Sequence, residues 1–146
     1  MKFGWIFIAI ASGAFLPIQA GINSRLGKVI ESPVYASLIS FSVGVIAVAL
    51  YGILTKEHFS WQGLKTAPAY LWTGGIFGGF YVTAIILAFP RIGPALTFGL
   101  VVAGQMIISV FLDHFYVLVT QQHPINTWRI IGIVLIVCGV IIIRKV

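Results

Sequence analysis

Five apolar stretches, each long enough to cross a lipid bilayer, take up most of this chain of 146 residues and leave only short gaps between them. They run over residues 3–22, 34–54, 69–89, 94–113 and 127–143. A membrane-crossing helix needs roughly 20 mostly apolar residues, so five of them use about 100 and the remainder suffices for loops. Lipid offers the backbone no hydrogen-bond partner, which restricts a spanning chain to helices or a closed barrel. A barrel would need alternating segments of about ten residues, and the sequence has none. The expected fold is therefore all-α: a polytopic membrane protein, with residues 1–146 forming a single domain of five transmembrane helices.

The residues between the spans agree with this. Asn23-Ser24-Arg25, Glu31-Ser32-Pro33, Lys56-Glu57-His58, Pro90-Arg91-Ile92-Gly93-Pro94 and His123-Pro124-Ile125-Asn126 carry turn and charge signals. Pro33 and Pro94 suit helix starts, where a missing N–H costs nothing. Pro17 falls inside the first span and predicts a kink there. Lys2 and the apolar run up to Gln19-Ala20-Gly21 imitate a secretory leader. Ile18 is too large for the cleavage site, however, and a single lysine is a poor n-region, so the segment is read as a retained helix.

Only 8% of the residues are charged and 60% are apolar, against about 25% charged in soluble domains. The net charge of +6 is dispersed. Lys2, Arg25, Lys28, Lys56, Lys65, Arg91, Arg129, Arg144 and Lys145 each fall at a gap or an end, positions that anchor in lipid headgroups and build no nucleic-acid surface. The single Cys138 excludes an intrachain disulfide and a multi-cysteine metal site. His58, His114 and His123 lie in loops or at helix ends, and no cofactor or metal is expected. No nucleophile–base–orienter set or phosphate-cradling loop is present, so the chain does not read as an enzyme.

Polar residues inside spans are costly and mark function by default. Trp5, Ser12 and Gln19 recur every seven residues, with Asn23 one turn later, and so share a helix face. Gln19 and Asn23 offer amide donors and acceptors to a solute, while Trp5 offers a ring to stack on. The same amides also serve as interhelical glue. Ser37, Ser40 and Gly44 share a face of the second span, where hydroxyls usually bond their own helix. Tyr81 in the third span and Gln105 in the middle of the fourth complete the candidate substrate-binding set of Gln19, Asn23, Trp5, Ser12, Gln105, Tyr81 and Ser40. Tyr35, Trp61 and Trp72 fit the interfacial aromatic belt.

Glycines recur in the third span, Gly74-Gly75-Ile76-Phe77-Gly78-Gly79, and in the last, where Gly132 and Gly139 stand seven apart. Small residues at such spacing let helix backbones approach in lipid. Gly75, Gly79, Gly132 and Gly139 are thus candidates for packing between chains or within one. Five spans put the termini on opposite sides. Lys2, Lys56, Lys65 and Arg129 then share one side, and Arg25, Lys28, Arg91, Arg144 and Lys145 the other. Orientation follows an excess of Lys and Arg on the cytoplasmic side. Four against five gives almost no instruction, which leaves insertion in both directions open.

The run Gly13-Ala14-Phe15-Leu16-Pro17-Ile18-Gln19-Ala20-Gly21-Ile22-Asn23, the Ser32-Pro33 step, and Gly104-Gln105 ahead of Asp113-His114-Phe115 together resemble the YdcZ-type family. That family is a five-helix branch of the drug/metabolite transporter superfamily. The Gly132–Gly139 spacing is similar to the dimerising last helix of small multidrug resistance transporters. The resemblance implies a half-sized transporter of a bacterial inner membrane, moving a small organic solute by alternating access. It would pair with a second copy in the opposite orientation, or with a paralogous five-helix partner. Small multidrug resistance exporters carry a glutamate in the first helix, where this chain has only Gln19, so a neutral, zwitterionic or weakly amphipathic solute fits better than a proton-exchanged cation. In such a pair Asp113 at one rim would face Arg25 or Arg91 of the partner and act as a gate. A dual-topology channel and a non-transporting accessory subunit are the alternatives.

Overall fold

The computed structural model describes residues 2–145, and all regular elements among them are helical. In order they are α1 (Lys2–Val29), α2 (Pro33–Thr55), the short α3 (Trp61–Thr66), a 3-10 turn (Ala69–Thr73), α4 (Gly74–Ile92), α5 (Pro94–Phe115) and α6 (Thr127–Lys145). Five segments have the length and apolarity to cross a membrane: Phe3–Val29, Pro33–Thr55, Ala69–Ile92, Pro94–Phe115 and Thr127–Lys145. Large apolar side chains point outward, among them Phe7, Leu54 and Leu135, while the buried positions hold mostly small or hydroxylated residues. This inverts the soluble pattern and suits lipid, where helices associate by close packing and hydrogen bonds.

The chain divides into two compact units, Met1–Arg91 and Ile92–Val146. In the first, α1 packs against α2 through a tight connection. Glu31 turns with φ 55°, and the Ser32 N–H donates to the Gly27 carbonyl at 3.0 Å. Ser32 then caps α2, its hydroxyl accepting from the Tyr35 N–H at 3.3 Å, with Pro33 opening the helix. At the far end Lys56 adopts φ 54°, and the Lys56 and Glu57 N–H groups bond back to the last carbonyls of α2, closing it as a C-terminal cap. The buried residues Ala20, Asn23, Ser24, Ala36, Ser37, Ile85 and Ile86 cluster at the turn-bearing end. There Gly27 permits the closest approach, since a Cβ on it would lie 3.2 Å from Ile86 Cγ2 and 3.6 Å from Ala36 Cβ. Away from that end the flanks of α1 and α2 are exposed.

In the second unit, Gly93 with φ 78° and Pro94 start α5. α5 packs on α6, closest where a Cβ on Gly99 would lie 3.1 Å from Val140 Cγ2. The connecting loop is tied back to the end of α5. The His123 N–H donates to the Asp113 carbonyl at 3.2 Å, Gln122 Nε2 to the His114 carbonyl at 2.8 Å, and the Ile125 N–H to His114 Nδ1 at 3.2 Å. Asn126 Oδ1 then accepts from the Arg129 N–H at 3.0 Å and caps the start of α6.

Two gap segments of the sequence are helical. Asn23-Ser24-Arg25 continues α1, which ends only at Val29, because Asn23 and Ser24 turn into protein, where their polar groups need not leave the helix for water. Pro90-Arg91-Ile92 continues α4, since a proline two residues from the end forfeits a single backbone bond. Pro17 sits inside α1 without ending it.

Candidate functional site

A cleft of about 600 Å³ lies in the first unit, bounded by Gln19 of α1, by Ser40, Phe41, Gly44, Val45, Val48 and Ala49 of α2, and by Val82 of α4. Its position follows from the packing. At the turn-bearing end a set of side-chain hydrogen bonds fastens α1 and α4 to α2. Asn23 Nδ2 donates to Ser40 Oγ at 3.0 Å, and the Thr83 hydroxyl stands 2.9 Å from that of Ser37. Ser37 in turn donates to the carbonyl of Pro33 at 3.0 Å. Thr83 has one proton for two acceptors, the Ser37 oxygen or the Gly79 carbonyl at 2.8 Å. Directly beyond the Asn23–Ser40 bond, Gly44 contributes no side chain, and nothing lies within 4 Å of where its Cβ would be. The space between the helices stays open there.

The chemistry of the lining is narrow. Gln19 supplies an amide, one acceptor and two donor hydrogens, none of them hydrogen-bonded among the described residues. Ser40 accepts from Asn23 and keeps its own proton for a further acceptor. Every other lining residue is apolar, and no charged group borders the space. An uncompensated charge there would lose several kcal/mol of hydration with nothing opposite to replace it, by the general cost of about that size for one ion. The cleft therefore suits an uncharged, largely apolar molecule bearing a group that exchanges hydrogen bonds with an amide and a hydroxyl.

Of the candidates read from the sequence, the structure brings together Gln19, Asn23 and Ser40. Asn23 is buried beneath the cleft, with its amide engaged. Trp5 stands outside the cleft and is 72% exposed, and Ser12 bonds the Ile8 carbonyl of its own helix at 2.8 Å. The Tyr81 hydroxyl is buried without a hydrogen-bond partner among the described residues. Gln105 is exposed on α5. Thr83, the α4 anchor, went unnoticed in the sequence because a threonine in an apolar helix ordinarily bonds its own backbone, as this one also can.

Asp113 departs from expectation. It pairs with Arg129 of its own chain at 3.0 Å, across the α5–α6 hairpin. Arg129 Nη1 also donates to the His123 carbonyl at 3.0 Å. The helix-end acid and the first-turn arginine face each other across the hairpin, so the acid already has a cationic partner without Arg25 or Arg91 of another chain. Arg25 is exposed, and Arg91 donates to the carbonyl of Leu87 in its own helix. The pair borders a crevice of about 230 Å³ with Ser109 and Gly132. Gly75, Gly79, Gly132 and Gly139 have nothing within 4 Å of their Cβ positions. Intrachain close packing instead uses Gly27 and Gly99. No group of three or more His, Cys, Asp or Glu side chains is placed to hold a metal among the described residues.

Comparison with known proteins agrees with this architecture. Residues 4–142 match the profile of a family described as "Putative inner membrane exporter, YdcZ". The Inner membrane protein YdcZ of Escherichia coli (strain K12) is 26% identical over 136 residues, covering 92% of this chain and 85% of that protein. No solved structure matches.

Proposed function

The chain belongs to the YdcZ family, and from that premise we propose that it is a small transporter of the inner membrane, carrying an uncharged organic solute through the Gln19–Ser40 cleft by alternating access between two oppositely inserted copies. The observation that carries the reading is the exposed, unbonded Gln19 amide beside an apolar cleft well within a membrane-crossing helix. An amide is costly in lipid, so such a group faces protein, water or a solute. Three helices of the first unit line the cleft, and a second copy would supply a further wall. The near-even Lys and Arg count fits insertion of that copy the other way up.

The cleft is tested by replacing Gln19 with cysteine in a chain whose native Cys138 is serine, then labelling intact membranes with a membrane-impermeant maleimide. Gln19→Cys should label from water, and Phe15→Cys, outside the cleft and 66% exposed, should not. Equal protection of both positions would contradict an aqueous pathway and favour an accessory subunit. Purified protein in vesicles should then give saturable flux of uncharged amphipathic solutes, accelerated by solute on the far side. Single-channel conductance in its place would mark a channel.

A further inference from the structure

We propose that two copies of this chain meet through Gln105, the two amides bonding each other at the bilayer midplane on the axis that relates an inverted pair. This rests on the inverted-pair reading above and names the contact that holds it.

The position of Gln105 is the first argument. Eleven residues precede it in α5 and ten follow, so it sits at the helix centre. Inverting a copy about an axis in the membrane plane sends a residue at one depth to the same depth on the opposite side of the midplane. With a rise of about 1.5 Å per residue, the two Gln105 residues stay roughly 1.5 Å apart in depth. The same operation separates the two Gln19 residues, three positions beyond the middle of Phe3–Val29, by about 9 Å. It separates the two Asp113 residues by about 25 Å. Tyr81, half a residue from the middle of Ala69–Ile92, returns to within about the same 1.5 Å, but its hydroxyl is buried inside its own chain. That leaves Gln105 as the exposed amide whose copy returns to its own level.

The second argument is chemical. An amide carries both donor and acceptor, so two of them related by a twofold axis satisfy each other reciprocally, which a hydroxyl with its single oxygen does less completely and an ionised acid cannot do at all. Within its own chain the Gln105 side chain is exposed and forms no hydrogen bond among the described residues. Such a group in hydrocarbon is driven to find a partner. The face around it allows one to approach. Val102 and Ile108, one turn to either side, are 43% and 59% exposed, and nothing lies within 4 Å of the Cβ position of the adjacent Gly104.

The register supplies the test. In an inverted pair crossing at Gln105, position 102 of one copy faces position 108 of the other. In a parallel pair each faces itself. With Cys138→Ser as background, Gln105→Cys should give a disulfide-linked dimer in native membranes. Differently tagged Val102→Cys and Ile108→Cys chains expressed together in equal amounts should give mixed 102–108 product well beyond the twofold excess over 102–102 or 108–108 that chance pairing yields. Gln105→Leu should weaken self-association roughly threefold to twentyfold, the range of interhelical polar contacts in lipid. Absence of a 105–105 product from a chain that inserts normally overturns the inference, as does unchanged association in Gln105→Leu. If reporters show both orientations while the 105–105 product is missing, the inverted pair stands and only this contact falls. Dominant 102–102 and 108–108 products overturn both.

Discussion

Asn23 on α1 donates a hydrogen bond of 3.0 Å to the hydroxyl of Ser40 on α2, and this bond sets the depth at which the cleft begins. Residues on one side of it are buried, while Gln19, one turn away on the other, borders open space. Asn23→Ala and Ser40→Ala should each destabilise the purified protein, and the double variant should cost less than their sum. The coupling should be about 0.6–1.7 kcal/mol, as for other interhelical polar pairs in membranes. Thermal unfolding in detergent reads it, and strict additivity would mean that the bond contributes nothing.

The Asp113–Arg129 pair predicts a charge-swap rescue. Asp113→Asn and Arg129→Gln each leave one charge without its partner in a setting that is only about a quarter exposed. Both should lower the unfolding temperature by a few degrees, taking a partly exposed pair as worth about 1 kcal/mol. Asp113→Arg combined with Arg129→Asp should recover more than half of that loss. Failure to recover any would assign the effect to the loop bonds at His123 and not to the ion pair.

Glycine positions separate by what lies beyond them. Gly27→Val places carbon where Ile86 already stands and should destabilise by about 1–3 kcal/mol, the usual range for an overpacked core. Gly75→Ala meets open space and should leave monomer stability unchanged or slightly raised, since alanine favours helix. The comparison is read by expression level and unfolding temperature. Equal sensitivity at the two sites would contradict the packing described.

Tyr81→Phe removes a buried hydroxyl that has no hydrogen-bond partner among the described residues. An unsatisfied buried group costs about 1–3 kcal/mol, so the variant should be at least as stable as the parent. Loss of flux at unchanged stability would instead make Tyr81 a solute contact, as the sequence suggested.

The five spans were legible because lipid demands long apolar runs, and the proline at each of two helix starts marked them closely. The ends were less so. Asn23-Ser24-Arg25 reads as a gap only while its polar groups are assumed to face water, and the Ser40 hydroxyl that receives Asn23 lies 17 residues away in sequence. Gln19 and Ser40 could be chosen as costly polar residues, but their meeting across one cleft depends on how α1 and α2 turn toward each other. Periodicity fixes a face and not what it faces. Asp113 reads from the sequence as an acid at a rim. Its partner Arg129 reads as a headgroup anchor, because nothing in the intervening loop announces that it folds back on α5.

The central claim, that the working unit is two copies inserted in opposite directions, is tested most directly by the side of the membrane on which the C-terminus emerges. Two fusions at that end suffice, one reporter active only in the cytoplasm and one only outside it. Comparable activity from both is the predicted result. Activity from one alone would contradict the inverted homodimer and require a different, oppositely oriented partner.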